Sequence, residues 1–464
     1  MITVNLFKNR KVAVFGLGGS GLATIKALIA GGAEVLAWDD KAETIEKMRE
    51  HDIPLCDLHH VEWSQIAALI LAPGVPLTNP EPHWTVKLAK NAGVEVIGDI
   101  ELFIRQRNSY LKNNGLSDED IPFIAITGTN GKSTTTALIN HLLNDAGKLS
   151  EMGGNIGTAI LSLEPLAKGR FYVIECSSFQ IDLTPSINPT VGILLNLSLD
   201  HLDRHGTFAH YCEIKKRLVS RAKTAVVAVD DENSEQIYEE LKKTHHKVFP
   251  VSKDKVLRDT GYYAVKDKLY SIENGKAVER LSLAGIDSLR GSHNAQNALM
   301  ALATLDSLNI RPDDLQAMFA SYIGLPHRMQ QVRKIGNVLY IDDSKATNAE
   351  ASAPALATFD HIYWIIGGLA KAGGITALKD YFPKIRKAYL IGDAAEDFAH
   401  TIGAAFPVSM SGTLEKAVQE AHLDAAQDKA KEVAVLLSPA CASYDQFKNY
   451  GARGDAFKAY VKAL

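Results

Sequence analysis

The chain has 464 residues, 46% hydrophobic and 22% charged, with a formal net charge of -4. That length points to about three domains, with enough apolar content for several cores that need no staples. The charge excludes a global basic field for nucleic acid, no apolar run approaches the roughly 20 residues that cross a bilayer, and the scattered Cys56, Cys176, Cys212 and Cys441 argue against a zinc site or disulfide framework.

The amino-terminal MITVNLFKNRKVAVFG lacks an apolar core followed by small residues and reads as a first strand, not a targeting peptide. With the cysteine usage this suggests a protein of the reducing cytoplasm. The strand Lys11–Phe15 leads into Gly16-Leu-Gly-Gly-Ser-Gly21 and a helix ending near Gly31-Gly32. Strands follow at Glu34–Trp38 and Ala67–Ala72. The glycines permit a tight turn whose N–H groups meet a diphosphate at a helix N-terminus. Asp39 and Asp40 end the second strand, where an acidic group can bind a ribose hydroxyl. This turn does not separate a nicotinamide dinucleotide from another nucleotide diphosphate, nor either from a ligand-free connection.

The polar stretch Asn108–Asp120 is the best linker candidate. Pro122–Thr127 is the next strand, followed by Thr127-Gly-Thr-Asn-Gly-Lys-Ser-Thr134 and a helix from Lys132 to about Ala146. The turn's amides can cradle the phosphates of ATP, Lys132 can neutralise β/γ-phosphate charge, and the Ser133 hydroxyl can reach magnesium. It departs from the general Gly-x-x-x-x-Gly-Lys pattern, because Ile126 stands five before Gly131. Phe171–Cys176 and Val191–Asn196 are buried strands, and Gly261–Leu281, with Glu273-Asn274-Gly275, is a β-hairpin insertion. A second boundary falls near Gly324-Leu-Pro326, and strands follow at Val338–Asp343, Tyr363–Gly368, Ala388–Asp393 and Val433–Pro439. Alternating strands and helices predict an α/β chain with largely parallel sheets.

Two phosphate-type turns therefore open two successive α/β regions. A dehydrogenase has no use for the second, and a simple NTPase has no use for the first. A protein that uses ATP to join a nucleotide-linked substrate to something else needs both.

These motifs resemble the Mur ligases. Gly128-Thr129-Asn130-Gly131-Lys132 is similar to their ATP loop, Gly153-Gly-Asn-Ile-Gly157 to a substrate loop, and His293-Asn294 through Asn297 to an adenine-side element. Asp343-Ser-Lys-Ala-Thr-Asn348, Gly367-Gly-Leu-Ala-Lys371 and Ser438-Pro-Ala-Cys-Ala-Ser-Tyr-Asp-Gln-Phe447 resemble the members that add D-glutamate. The resemblance implies a Rossmann-like N-terminal domain for a UDP substrate (1–108), a central P-loop-type ATPase domain with a parallel sheet (109–323) and a Rossmann-like C-terminal domain for the amino acid (324–464). It implies a monomer acting on UDP-N-acetylmuramoyl-L-alanine, D-glutamate and ATP, with two magnesium ions, through an acyl-phosphate and no covalent enzyme intermediate.

By the same resemblance, Gly128, Thr129, Asn130, Gly131, Lys132, Ser133, Thr134, Asn294, Asn297, Arg328 and Asp343 would bind ATP. Ser133, Glu175, His201 and a carbamylated Lys215 would hold metal, and Lys132, His201, Lys215 and Arg328 would carry the chemistry. Gly18, Gly19, Ser20, Asp39, Gly74, Asn155, Ser178, Gln180 and Lys345 would meet the UDP substrate. Thr347, Lys371, Ser443, Tyr444 and Tyr450 would meet D-glutamate. Physical reasons support several of these. A strand-end carboxylate near a phosphate loop suits magnesium, CO2 turns a lysine ammonium into an anion, an arginine offsets charge on a transferring phosphoryl group, and a dianionic amino acid needs a cation and hydroxyl donors. Tyr211-x-x-x-Lys215 selects Lys215 over Lys216. The rival readings are a nicotinamide-dependent oxidoreductase, a non-catalytic sensor of cell-wall precursors, and a sibling ligase with another acceptor. The first leaves the second turn, Glu175, His201 and Lys215 without a role.

Overall fold

The computed structural model describes residues 1–244, 247–371 and 373–464. It forms three main sheets within two compact units, Met1–Leu281 with Gln296–Met318, and Ser282–Ala295 with Phe319–Leu464.

Strands β1 (Lys11–Phe15), β2 (Glu34–Trp38), β3 (Ile66–Leu71) and β4 (Glu95–Ile97) form a parallel sheet in the order β2-β1-β3-β4. The central sheet comprises β5 (Phe123–Thr127), β6 (Leu149–Gly154), β7 (Arg170–Glu175), β8 (Val191–Leu194), β9 (Thr224–Ala228), β10 (Val248–Ser252), β11 (Tyr262–Val265), β12 (Lys268–Glu273) and β13 (Lys276–Ser282). Its order is β13-β12-β11-β10-β9-β8-β5-β7-β6. Every residue of β5, β8 and β9 is buried, as expected of strands covered on both faces. β5 lies between β7 and β8, and both neighbours run parallel to it. The loop leaving β5 therefore sits at the carboxyl end of the sheet, where open α/β sheets bind ligands.

The second unit holds β14 (Gln330–Ile335), β15 (Val338–Asp342), β16 (Ile362–Gly367), β17 (Leu369–Ala370), β18 (Ile385–Ile391), β19 (Val408–Gly412), β20 (Val433–Leu437) and β21 (Cys441–Ala442). Six of them form the sheet β14-β15-β20-β16-β18-β19, antiparallel only at β14-β15. β17 and β21 make a separate short ladder.

Two expectations need correction. The stretch Asn108–Asp120 is not a linker throughout, because the helix Asp99–Asn113 runs through its first half. Phe103, Arg107 and Leu111 are buried along one face of that helix. Arg107 Nε donates to Ile121 O at 2.8 Å and Nη1 to Asp118 Oδ1 at 2.9 Å, so buried partners outweigh the polar composition. The insertion near 261–281 is a three-stranded meander rather than one hairpin. Its last turn has Asn274 and Gly275 at φ 51 and 73, the left-handed pair that two-residue hairpins favour. All four cysteines are free thiols, and among the described residues no helix is long and apolar enough to cross a membrane.

Candidate active site

The loop after β5 is shaped by two glycines and held by a neighbouring strand end. Gly131 caps the helix Lys132–Asp145 in the left-handed region at φ +83. A Cβ there would lie 2.5 Å from Asn297 Oδ1, the atom that accepts from Thr135 Oγ1 at 3.0 Å. Asn196, just past β8, accepts Asn130 N–H on Oδ1 at 2.8 Å and donates from Nδ2 to Asn130 O at 3.1 Å. Its carbonyl accepts Thr129 N–H at 2.9 Å. The Thr129 hydroxyl lies 3.0 Å from Tyr211 Oη. The loop is thus preformed, with a helix N-terminus behind it, an arrangement suited to an anion.

Two lysines converge on one oxygen of this loop. Lys132 Nζ lies 3.0 Å from Gly128 O and 2.7 Å from Thr129 O. Lys215 Nζ lies 2.8 Å from Gly128 O and 3.1 Å from Thr127 Oγ1. Lys215 is 1% exposed, and among the described residues no carboxylate lies within ion-pair distance of it. Burial, then the charge of Lys132, drives its pKa well below the ordinary lysine value. Both effects favour the neutral amine over the ammonium.

Glu175 ends β7 and is 2% exposed. Its Oε1 accepts from Asn155 Nδ2 at 2.8 Å, while Oε2 is buried with no hydrogen-bond partner. A buried anionic oxygen without a partner is costly, and a bound cation would remove that cost. Ser133 is buried at the start of the loop's helix. His201 adopts φ 51, caps the short helix Leu202–His205, and packs against Phe179 with ring centroids 4.7 Å apart. Burial lowers its pKa, which favours the neutral imidazole that metals bind. A buried carboxylate, a buried hydroxyl and an exposed imidazole are donors that fit a hard divalent cation.

The first glycine turn leaves its entry open. A Cβ on Gly18 or Gly19 would meet nothing within 4 Å, whereas one on Gly21 would lie 2.0 Å from Gly16 O. Gly18 and Gly19 therefore admit a ligand, and Gly21 lets helix and strand approach. Ser20 lies in the helix's first turn. The Asp39 carboxylate already serves the backbone, accepting from Leu17 N at 2.8 Å and Lys41 N at 3.0 Å. Gln180 is similarly engaged: its Oε1 accepts from Ser177 N at 3.1 Å in a capping box. Ser178 Oγ lies 2.8 Å from His205 Nε2. Gly74 O accepts from Arg204 Nη1 at 2.8 Å.

In the second unit the three C-terminal segments singled out in the sequence meet. Ser438 Oγ donates to Asp343 Oδ2 at 2.8 Å. Leu369 and Ala370 pair with Ala442 and Cys441. The buried Arg453 donates from Nη2 to Ser344 O at 2.9 Å and Cys441 O at 3.0 Å. Asp343 is buried, which pushes its carboxyl up to about 7. Lys345 Nζ lies 5.5 Å from the Tyr450 ring centroid, Ser443 is buried, and Thr347 is half-buried. Lys371 is exposed and Tyr444 is 72% exposed. Arg328 and Asn294 also belong to this unit, and Asn294 Nδ2 donates to Arg290 O at 2.8 Å.

Residues 10–98 match the MurD-like N-terminal domain of Mur ligases, 126–305 the Mur ligase middle domain, and 327–441 the Mur ligase glutamate ligase domain. Proteins of Bartonella henselae and Rhizobium etli named UDP-N-acetylmuramoylalanine–D-glutamate ligase are 59% and 54% identical to the chain. The matches cover 100% of this chain and 99% and 97% of theirs. The chain belongs to the Mur ligase family. Two solved Thermotoga maritima structures share the fold. UDP-N-acetylmuramate-alanine ligase MurC aligns with TM-score 0.57 and 17% identity, over 98% of this chain and 100% of that one. MurF ligase in complex with ADP aligns with TM-score 0.56 and 16% identity, over 100% of this chain and 98% of that one.

Several residues that build this Mur ligase site lie outside its motifs. Asn196 and Tyr211 brace the phosphate loop, and only Tyr211 carried a sequence signal, through its spacing to Lys215. Arg453, six residues beyond the motif that ends at Phe447, gave none, because a buried arginine in a helix looks like a solvated one until its partners are known. Arg204 stood within Asp200-His-Leu-Asp-Arg204 but its contacts were unforeseen. Besides Gly74 it reaches Val75 O at 2.8 Å, and its guanidinium carbon lies 4.6 Å from the Phe179 ring centroid.

Proposed function

We propose that this Mur ligase joins D-glutamate to UDP-N-acetylmuramoyl-L-alanine with cleavage of ATP to ADP and phosphate. The relation to D-glutamate ligases over the whole chain, at 59% identity, carries the reading. The intact phosphate loop and the meeting of the three C-terminal segments support it. The division of labour follows the sequence expectation: 1–108 for the UDP substrate, 109–323 for ATP and 324–464 for D-glutamate.

In this reading the amides of Gly128–Gly131, with Thr129, Asn130, Ser133 and Thr134, hold the phosphates, and Lys132 swings from the loop carbonyls to the β/γ-phosphates. Asn294, Asn297 and Asp343 serve the nucleoside side, and Arg328 the γ-phosphate. Gly18, Gly19, Ser20, Asp39, Gly74, Asn155, Ser178, Gln180 and Lys345 serve the UDP substrate. The substrate's alanyl carboxylate attacks the γ-phosphorus and ADP leaves. The D-glutamate amine attacks the acyl carbon, loses a proton, and phosphate departs. Thr347, Lys371, Ser443, Tyr444 and Tyr450 orient the incoming amino acid. Magnesium held by Ser133, Glu175 and His201 would offset charge on the phosphates and the transferring phosphoryl group. Lys215 is placed to react with CO2, because a neutral amine forms the N–C bond and releases a proton to give a carbamate. That conversion turns a neutral amine beside Gly128 O into an anion able to hold metal.

Phosphate release is the test, with Mg-ATP, UDP-N-acetylmuramoyl-L-alanine, and either D- or L-glutamate. Release that requires the UDP substrate and D-glutamate is expected. Lys132→Ala should abolish it while the UDP substrate still binds. Release with L-glutamate alone, or full turnover in Lys132→Ala, overturns the assignment.

A further inference from the structure

We infer that Asp182, His205 and His210 form a binding site for a divalent transition-metal ion of the zinc class, separate from the magnesium side of the phosphate loop. Each of the three offers one ligand atom, and these atoms all lie within 4.8 Å of one another. Local chain geometry brings them together. Asp182 ends the short helix Ser178–Asp182, and His205 ends the helix Leu202–His205. Gly206 then turns at φ +75, and Thr207 caps the helix Phe208–Ser220, which carries His210.

His205 supplies the strongest observation. Its ring is 3% exposed, yet Nδ1 has no hydrogen-bond partner. The other nitrogen, Nε2, lies 2.8 Å from Ser178 Oγ. One nitrogen therefore fixes the ring and the other is left without a partner, which is how a metal-binding histidine is commonly held. With Nε2 protonated and donating to Ser178, Nδ1 presents its lone pair. His210 is exposed and gives the ion access from solvent.

The surrounding charge selects the class of ion. Arg217 Nη2 lies 3.8 Å from Asp182 Oδ1. Arg204 and Lys90 also act on Asp182. With one carboxylate amid three cations, an ion held mainly by charge, such as magnesium or calcium, is disfavoured. An ion held by its bonds to two imidazoles is not. Three protein ligands leave a position for water, as in many His/Asp zinc sites. Binding there would stiffen the helix that carries Ser178 and Gln180.

The test uses untagged full-length protein, freed of metal by a chelator and kept in excess magnesium. CoCl2 is titrated while its visible absorption is followed, and ZnCl2 is then added in competition. Saturation at one equivalent, reversed by zinc, is expected. His210→Ala, an exposed position that should leave the fold intact, is expected to weaken cobalt binding by at least about ten-fold. Asp182→Asn should weaken it as well, and Glu175→Gln and His201→Ala should leave it unchanged. Absence of the absorption, undiminished binding in both His210→Ala and Asp182→Asn, or loss in Glu175→Gln or His201→Ala would overturn the site. The readout needs no turnover, so it stands or falls apart from the ligase reading.

Discussion

Lys215 and Lys132 both reach Gly128 O, at 2.8 and 3.0 Å, and two ammonium groups sharing one neutral acceptor repel each other. Burial adds to that penalty at Lys215, and the two effects together push its pKa well below the ordinary lysine value. Lys215→Ala is expected to lower phosphate release on the order of 100-fold or more, the scale of losing one charge-stabilising group. A small carboxylate such as formate, entering the space left by the side chain, should restore part of it. Full activity in the variant would remove the carbamate from the scheme.

Asp99 shows burial acting in the opposite chemical direction. Desolvation raises its carboxyl from 3.8 to about 6, although Ile100 N–H donates to Oδ1 at 2.9 Å. A raised carboxyl favours folding below the unfolded value and loses that contribution as pH rises through about 6. Asp99→Asn carries no charge to bury and keeps an acceptor for Ile100. Its stability relative to wild type should therefore improve between pH 4 and 7, by roughly 3 kcal/mol at most. Thermal melting of the two proteins at both pH values checks this, and a difference independent of pH would refute it.

At the scale of elements, the phosphate loop works because strand, turn and helix are fixed before any ligand arrives. Gly131→Ala places a β-carbon at φ +83 and 2.5 Å from Asn297 Oδ1. The backbone strain alone is of order 1–3 kcal/mol, and the Thr135–Asn297 bond must shift as well. A melting temperature lowered by several degrees, together with loss of nucleotide binding, is the expected result; wild-type binding of a fluorescent ATP analogue would contradict it. The strands and this loop were legible in the sequence because buried parallel strands read as apolar runs and the glycine-lysine-serine order marks the turn. Asn108–Asn113 was not legible as helix, since its polar surface residues hide a periodicity set by Phe103, Arg107 and Leu111. The Asp182–His205–His210 cluster was invisible for another reason. Its first member lies 23 residues before the second in sequence, and only folding brings their ligand atoms within 4.8 Å.

At the scale of the molecule, the two sheets of the first unit share a core, beside a further cluster around Phe15, Trp63 and Leu71 that belongs to the first sheet. One apolar cluster runs from Val12 and Ile70 of the first sheet, through Ile100, Phe103 and Ile104, to Phe123, Tyr172 and Ile174 of the central sheet. Phe103 is the joint: its ring centroid lies 5.3 Å from that of Phe123 and 5.2 Å from that of Tyr172. A shared core couples the stability of both bodies, so the sheet carrying the first glycine turn and the sheet carrying the phosphate loop should unfold together. Three of the four tryptophans, Trp38, Trp63 and Trp84, report on the first sheet, and Trp364 lies in the second unit. In a Trp364→Phe background, tryptophan fluorescence follows the first sheet and binding of a fluorescent ATP analogue follows the central one. Phe103→Ala should cost about 3–5 kcal/mol and move both urea midpoints down together. If only one midpoint moves, the two sheets are independent folding units and their contact is a docking surface rather than a common core.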